Sequence, residues 1–417
     1  MLKTLASVAA ILLGAVIMMT GNSLLNLTLP LKLTAADFSP EAVGVIMAAY
    51  FAGLWAGAAY GRRLINAVGH IRAFAGFAGI IGAVALAYPM LFNPISWGVL
   101  RFLAGFCVAG VFAILESWLN ERTENKTRGQ VLSIYMILMY GAGISGQLMV
   151  NLWDLQALEG FVMAALLTSL SIVPVVLTRV EAPRLDRIQT MTFRQLYVAS
   201  PLAVVGSCGA GAVMSSYYGM GPVFATGAGL SVLGVSIFMA SVILGGMLFQ
   251  WPIGRLSDRF DRRSVLFAVL VLVALVCAAG MAATFHQASV AMFLAIGMLM
   301  GGGMTTIYPI CIAQAFDHLP RERYVAASGG LLLAYAVGAT FGPVISAFAM
   351  GRLGPSAFFG FIGAVSLLYG AFVVYRKIAR AGVPAGRQEP VVGMTRMSPV
   401  AASLDPRAGP GNGDAVR

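Results

Sequence analysis

The amino-acid sequence predicts an all-α integral membrane protein with twelve transmembrane helices, arranged as two pseudo-symmetric six-helix bundles. Three observations lead to this fold class. Of the 417 residues, 59% are hydrophobic and 10% are charged, whereas soluble domains usually carry about a quarter charged residues. Apolar runs of the length that crosses a bilayer core, about 20 residues, recur twelve times. Features of the first six runs return in the last six.

Each predicted helix begins and ends near charged or turn-forming residues. The first six helices run approximately from Leu5 to Leu31, Ala42 to Tyr60, Ala73 to Leu91, Ile95 to Leu119, Val131 to Leu152 and Gly160 to Leu177. The second six run approximately from Leu202 to Phe224, Val232 to Trp251, Val265 to Ala283, Val290 to Ala315, Val325 to Met350 and Phe358 to Tyr375. The first run is too long for a secretory signal and lacks a small-residue cleavage site, so it is expected to stay as a helix.

Basic residues fall almost entirely in loops that share one face of this arrangement. If the N-terminus is inside, 24 of the 27 basic residues lie in cytoplasmic loops or at the cytoplasmic chain ends. Because cytoplasmic loops retain Lys and Arg, both termini are expected to be cytoplasmic. The net charge of +11 is then explained by topology and by contact with anionic membrane lipid, without nucleic acid as a partner.

Two halves of the chain repeat the same spacing. Pro30 precedes Gly61 by 31 residues, and Pro222 precedes Gly254 by 32 residues. The fourth and tenth helices each carry two glycines five residues apart, namely Gly105, Gly110, Gly297 and Gly302. A six-helix unit used twice is expected to enclose a cavity at the repeat interface near the middle of the membrane.

The repeat divides the chain into four segments. Residues 1–178 and 200–376 are the two six-helix bundles, and residues 179–199 form a cytoplasmic linker between them. Residues 377–417 are rich in Pro, Gly and small side chains, so we expect a disordered cytoplasmic tail.

The stretch PIGRLSDRFDRR, from Pro252 to Arg263, concentrates charge in a chain that is otherwise apolar. It resembles the loop signature of the major facilitator superfamily, in which a Gly, an Asp four residues later and a basic cluster join helices 2 and 3 and again helices 8 and 9. Asp261 stands where that family usually has a second Gly. The first copy, Gly61 to Gly69, is one residue longer and carries Asn66 in place of the acid.

Further motifs resemble the poorly characterised YcaD-like branch of this superfamily. They are ESWLN at Glu116 to Asn120, GQ at Gly146 and Gln147, and GP at Gly342 and Pro343. The resemblance covers about residues 5 to 376. It implies a secondary active transporter that moves a small organic solute by alternating access, with or without coupling to protons. A transporter-like membrane sensor that signals through its tail is the alternative.

The charged loops are predicted to form a gate. Asp258 is expected to face a neighbouring helix end or an Arg and so to favour one closed arrangement. The alternative is that the bases only orient the loop toward the cytosol. The gate residues are Gly61, Gly69, Gly254, Asp258, Arg259, Arg262 and Arg263.

Two charged residues within helices are candidates for coupling, because charge in hydrocarbon is costly. Arg101 resembles the superfamily's helix 4 Arg motif, which proton-coupled members tie to proton transfer; alternatively its side chain reaches the head groups. Glu116 lies fifteen residues further, about 22 Å along the helix, and is the acid set deepest in a predicted helix. Its alternative role is a structural hydrogen bond near Asn120 or Arg128.

Polar and aromatic residues at matching depths in the two halves are predicted to line the central cavity. The alternative for each is hydrogen bonding between helices. These candidates are Asn22, Asn26, Gln147, Tyr217, Tyr218 and Tyr308.

Enzyme and metal chemistry find no support in the sequence. There is no G-x-x-x-x-G-K-[ST] motif for ATP, and the three histidines lack metal-ligand spacing. We therefore expect no catalytic activity, metal or cofactor, and a monomer whose partners are a solute, membrane lipid and, in the coupled case, protons. Family likeness and 23 Arg against 4 Lys favour a bacterial inner membrane.

Overall fold

The computed structural model describes residues 2–123, 127–177, 191–379 and 388–392. These ranges form helices and contain no β-strand. The first half contributes α1 (Leu2–Ala35), α2 (Pro40–Val68), α3 (His70–Met90), α4 (Pro94–Arg122), α5 (Arg128–Met149) and α6 (Glu159–Val176). The rest contributes α7 (Phe193–Ala199), α8 (Pro201–Gly227), α9 (Val232–Arg259), α10 (Arg262–Phe285), α11 (Val290–Phe316), α12 (Tyr324–Leu353) and α13 (Ala357–Ala379).

The lengths and composition of these helices match a multi-pass membrane protein. Eleven helices of the described chain are long and apolar enough to cross a membrane, and α7 with α8, which meet at a bend of 116°, give a twelfth. The predicted all-α membrane fold is therefore confirmed. The helices extend beyond the predicted apolar runs, because the backbone hydrogen bonds of a helix do not require apolar side chains.

Local sequence explains where several helices begin. At the start of α2, the Ser39 side chain accepts a hydrogen bond from the backbone N–H of Ala42, and Pro40 occupies the first turn. Such residues satisfy or dispense with the free N–H groups of a first turn. Between α2 and α3 the chain turns at Gly69, whose φ of 89° favours glycine because it has no Cβ. Gly69, a predicted gate residue, therefore has a structural reason for its identity.

The linker between the halves ends in a short helix. Thr192 and Gln195 form a reciprocal capping box at the start of α7. Pro201 then begins α8 after the sharp bend, because the residue before a proline is disfavoured in helical conformation. Residues 178–190, which include most of the predicted linker 179–199, lie outside the described residues.

The two halves pack their helices in the same pattern. In the first half α2 packs on α4, α1 on α5, and α3 on α6. In the second half α9 packs on α11, α8 on α12, and α10 on α13. Each second-half pair occupies the same place in its six-helix unit as the corresponding first-half pair. The sequence repeat is thus a repeat of packing.

Glycines permit the closest of these helix contacts. A Cβ on Gly53 of α2 would overlap the carbonyl oxygen of Phe102 in α4, and a Cβ on Gly245 of α9 would overlap that of Met298 in α11. Small residues let helix backbones approach in this way. Gly53 and Gly245 lie 192 residues apart, which is also the offset between Gly105 and Gly297.

The bundle has two ends, which we call the tail face and the opposite face. The tail face carries the end of α13 and residues 388–392; the opposite face lies at the other end of the helices. The halves contact each other at the opposite face. There the Asn151 side chain donates a 2.8 Å hydrogen bond to Ser236 Oγ, and Gly44 of α2 packs against Pro343 and Ala347 of α12.

The tail differs in part from the prediction of disorder over residues 377–417. Helix α13 continues to Ala379, and residues 388–392 pack on the tail face. Backbone N–H groups of this segment find carboxylate acceptors there, which a composition-based argument cannot anticipate. The predicted tail residues 380–387 and 393–417 lie outside the described residues.

Candidate functional site

A cavity lies between the two halves at the middle of the long helices. It has an empty volume of about 1230 Å³, including the part open to solvent, and four helices of each half contribute to its wall: α1, α2, α4 and α5, and α8, α9, α11 and α12. Five predicted cavity residues line it, namely Asn22, Asn26, Gln147, Tyr217 and Tyr218.

Arg101 lies in the wall of this cavity with only 1% of its surface exposed. Its Nη1 donates a 2.8 Å hydrogen bond to Asn26 Oδ1, and its guanidinium lies 4.3 Å from the ring centroid of Tyr50. The hydroxyl of Tyr50 in turn lies 3.3 Å from Asn22 Nδ2. Helices α1, α2 and α4 therefore hold the guanidinium inward, so the alternative in which Arg101 reaches the head groups does not describe this structure.

Most of the remaining wall is apolar or aromatic. Four methionines contribute to it: Met19, Met136, Met139 and Met214. Aromatic side chains that the sequence argument missed also line it: Tyr50, Phe51, Phe112, Tyr140 and Tyr335. Apolar and aromatic residues carry no distinguishing signal in a chain that is apolar throughout.

Two tyrosines connect the cavity to the second half in different ways. The Tyr217 hydroxyl donates a hydrogen bond to the backbone oxygen of Met239, so this hydroxyl ties α8 to α9. The ring of Tyr218 lies 4.7 Å from that of Tyr217. Across the halves, the Tyr140 hydroxyl donates to Gln250 Oε1 at 2.5 Å.

Two predicted site residues lie away from the cavity wall. Glu116 is fully buried in α4, where Tyr135 of α5 donates to its Oε1 at 3.5 Å, and it is not among the lining residues. Tyr308 packs its ring 5.1 Å from Tyr335 and does not line the cavity either. Glu116 and Tyr308 are 192 residues apart and so occupy equivalent positions in the two halves, and both lie outside the wall. Tyr335, the neighbour of Tyr308, is part of the wall.

Two predicted gate residues of the second half, Asp258 and Arg262, lie together at the tail face. Arg262 is 1% exposed, and its guanidinium lies 3.3 Å from Asp317 Oδ2 and 3.8 Å from Asp258 Oδ1. Asp258 also accepts a 2.8 Å hydrogen bond from the backbone N–H of Val391. The carboxylate of Asp258 therefore faces Arg262 and the chain's own tail.

The other gate residues differ in their surroundings. Gly254 is buried beneath Val391, and Gly61 is buried beside Gly110 of α4. Arg259, the last residue of α9, is exposed.

Asp261, in the turn between α9 and α10, joins this loop to the end of α13. Its carboxylate lies 3.6 Å from both Arg263 and Lys377, and Ser264 donates to it at 2.7 Å. Burial alone would raise the pKa of Asp261. The Ser264 hydrogen bond and the two positive charges outweigh burial and lower it.

Comparison with known proteins gives the class to which this architecture belongs. The pattern described as "Major Facilitator Superfamily" matches residues 11–251 and 229–404. The chain belongs to this superfamily and is a multi-pass membrane transporter. Relatives called "Uncharacterized MFS-type transporter YcaD" from Escherichia coli O17:K52:H18 and Shigella flexneri are 31% identical over 365 residues, which is 87% of this chain and 94% of theirs. The predicted YcaD-like branch is thereby confirmed.

Solved structures share the fold at low identity. A mutant form of the nucleoside transporter NupG has a TM-score of 0.76 and 12% identity, with 88% of this chain and 99% of that chain covered. A bacterial homolog of the human lysosomal transporter Spinster, inward-facing and unoccupied, has a TM-score of 0.69 and 14% identity, with 98% and 99% covered. A D-xylose-proton symporter has a TM-score of 0.65 and 15% identity, with 88% and 96% covered.

Proposed function

We propose that this chain is a secondary active carrier that moves a small organic solute across a bacterial inner membrane by alternating access. The central cavity is the observation that carries the proposal. Four helices of each half form its wall, so a rocking motion of the halves exposes the same site to either side. A sparse set of polar groups in an apolar wall is typical of a site for a small molecule.

Contacts between the halves support one closed side. The Asn151–Ser236 hydrogen bond and the packing of Gly44 on α12 lie at the opposite face. Because these contacts join elements of different halves, opening that face requires breaking them. The predicted topology places the tail face in the cytoplasm, so this arrangement corresponds to a carrier closed toward the outside.

Proton coupling is the second part of the proposal. Glu116 is a fully buried carboxyl group that receives a hydrogen bond from Tyr135 and lies outside the cavity wall. A buried acid of this kind is suited to carry a proton. Since it does not contact the solute site, its protonation acts through the packing of α4 and α5.

Asp258 is also proposed to act in the gate, although its partners in this structure all belong to the second half. Its carboxylate interacts with Arg262 and with the tail, both on the second half. It therefore fixes the α9–α10 loop in this arrangement. To hold the two halves together, Asp258 must leave Arg262 and the tail in another state and bind a group on the first half.

Counterflow in proteoliposomes tests the carrier function. Purified protein is reconstituted as a monomer with an excess of one unlabelled solute inside, and uptake of the labelled solute is followed for organic acids, sugars, nucleosides, amino acids and amines. We expect saturable exchange for one class. Specific binding without exchange would instead favour a ligand-binding sensor that signals through its tail, and failure of all classes to exchange or bind would contradict the proposal.

A further inference from the structure

The wall of the central cavity contains a buried positive charge that lacks a counter-charge in the described part of the chain. No carboxylate oxygen of those residues lies within 4.0 Å of Arg101, and the lining residues include no Asp or Glu. Its close partners, Asn26, Tyr50 and Tyr88, are all neutral. A guanidinium has five N–H donors, and Nε of Arg101 is buried without an acceptor among the described residues.

The buried charge of Arg101 is not balanced by a nearby carboxylate of the described residues, and an anionic ligand can balance it. A buried charge is costly unless an opposite charge or several hydrogen bonds accompany it. Glu116, on the same helix, lies about 22 Å away along the helix axis and cannot pair with Arg101. The cavity therefore favours an occupant with a negative group.

The rest of the wall indicates that the remainder of the ligand, apart from its negative group, is apolar. Methionine side chains adapt to apolar shapes, and aromatic rings add large contact surfaces. Gln147, which is 1% exposed, is a further polar group in the wall besides the asparagines and tyrosines, and its Oε1 has no hydrogen-bond partner among the described residues. Polar groups of the wall such as Asn22, Tyr140 and Tyr217 already form hydrogen bonds within the protein, so they offer few free partners to a ligand rich in hydroxyl groups.

We propose that the cavity binds a small organic monoanion, a carboxylate with an apolar body, whose carboxylate pairs with Arg101. A guanidinium matches a carboxylate with two parallel hydrogen bonds, which neutral or cationic analogues cannot reproduce. The inference rests on the proposed carrier function and names the substrate class of the same site. Asn26 and Tyr50 position the guanidinium, while the apolar wall receives the body.

Matched ligands that differ only in charge test this inference. Thermal stabilisation and counterflow are measured with 4-phenylbutyrate, its amide and 4-phenylbutylamine, alongside decanoate and decanamide. We expect the two carboxylates to stabilise the wild-type protein and to exchange, and the amides and the amine to do neither. If neutral or cationic solutes exchange and carboxylates do not bind, the anion inference fails and the carrier function stands.

Substitutions at Arg101 separate its charge from its role in folding. Arg101→Gln is expected to weaken carboxylate binding about 10- to 100-fold, the usual value of a charge-assisted hydrogen bond. Arg101→Lys keeps the charge without the paired geometry and should bind with intermediate affinity. Equal carboxylate affinity in wild type and in a folded Arg101→Gln or Arg101→Lys protein would overturn the proposal.

A different observation carries a second inference, which concerns residues 388–392; we call this segment the tail strap. Besides its bond to Asp258, the strap donates from the backbone N–H of Glu389 to Asp317 Oδ1 at 2.8 Å. Arg262 Nη2 donates to the backbone oxygen of Glu389 at 2.5 Å, and Arg321 pairs with the Glu389 carboxylate at 3.2 Å. The strap thus joins the ends of α9 and α11, the start of α10 and the turn before α12.

We infer that the tail strap restrains the α9–α10 loop and keeps the Asp258 carboxylate on the second half. Val391 makes the contact between the tail strap and α9, because its N–H donates to the Asp258 carboxylate and its side chain covers Gly254. While the strap is docked, Asp258 has both an Arg and a backbone donor and gains little from a partner on the first half. Release of the strap frees this carboxylate for gating.

Hydrogen exchange of the full-length protein tests the strap. Val391→Pro removes the backbone N–H that donates a hydrogen bond to Asp258. Val391→Ala keeps this N–H and serves as the matched control. We expect the hydrogen-bonded amides of Phe260, Ser264 and Val265, which border this loop, to exchange about 10- to 100-fold faster in Val391→Pro than in the control. Equal exchange in both variants, and in a chain that ends at Ala379, would overturn the inference.

Discussion

A methyl group added at Gly44 tests whether contact between the halves defines one state of the carrier. Its Cβ would overlap the side chain of Ala347 and lie 2.8 Å from the carbonyl oxygen of Pro343, both on α12. Overpacking of this kind typically costs about 1–3 kcal/mol. Because the overlap exists only while the halves touch, Gly44→Ala should shift the population away from this state by about 5- to 150-fold.

Two glycine controls distinguish a shift of state from a loss of folding. Gly53→Ala places a methyl on the Phe102 carbonyl within the first half, so it should lower thermal stability in every state. Gly76→Ala meets no atom within 4 Å, so it should leave the population of states unchanged and should at most raise thermal stability slightly through the higher helix propensity of Ala. The three variants carry the same chemical change at sites that differ only in what the methyl meets.

Spin-label distances provide the assay. Labels at Gln156→Cys and His286→Cys, both exposed at the opposite face, report the separation of the halves there. We expect Gly44→Ala to lengthen this distance while melting close to wild type. A distance distribution identical to that of Gly76→Ala would refute the view that the Gly44 contact is broken during the cycle.

Three further variants address coupling, gating and acid stability. Glu116→Gln should abolish flux driven by a pH gradient and spare solute exchange in the same vesicles, whereas equal loss of both would leave Glu116 a structural role. Asp258→Asn removes a charge that faces Arg262 and should change both cysteine accessibility at the tail face and transport rate; no change in either would remove it from the gate. Asp261 has a pKa below the ordinary Asp value, so its contribution to stability is present above that ordinary value and is lost as pH falls through the lowered pKa. The difference in melting temperature between wild type and Asp261→Asn should therefore shrink on acidification, and a constant difference from pH 7 to pH 3 would contradict this.

The fold follows from the sequence because a membrane imposes strong rules on it. Helix length, basic loops and the spacing of Pro and Gly are all visible without coordinates. The 192-residue offset reappears in the structure as the paired close contacts of Gly53 and Gly245. The helix at Phe193–Ala199 also had a readable signal, the capping box of Thr192 and Gln195, although it lies in a segment predicted as a linker.

The candidate site was only partly readable, for a physical reason. Polar residues such as Asn26 and Gln147 stand out in an apolar chain, but Tyr50 and the methionines of the wall do not. The orientation of Arg101 depends on partners from α1 and α2, which sequence position on α4 alone cannot decide. The docking of Glu389 depends on carboxylates and arginines that tertiary structure brings together, so tail composition gave no indication of it.

Reversible cross-linking at the opposite face tests alternating access most directly. Asn151→Cys and Ser236→Cys replace side chains that are hydrogen-bonded at 2.8 Å across the halves, so a short, reducible thiol linker should join them without distortion. Counterflow is measured with the solute class found to exchange, before and after reduction. We expect the linked protein to bind solute but not to exchange it, and reduction to restore exchange. Exchange by the linked protein at the rate of the reduced protein would contradict transport by separation of the two halves.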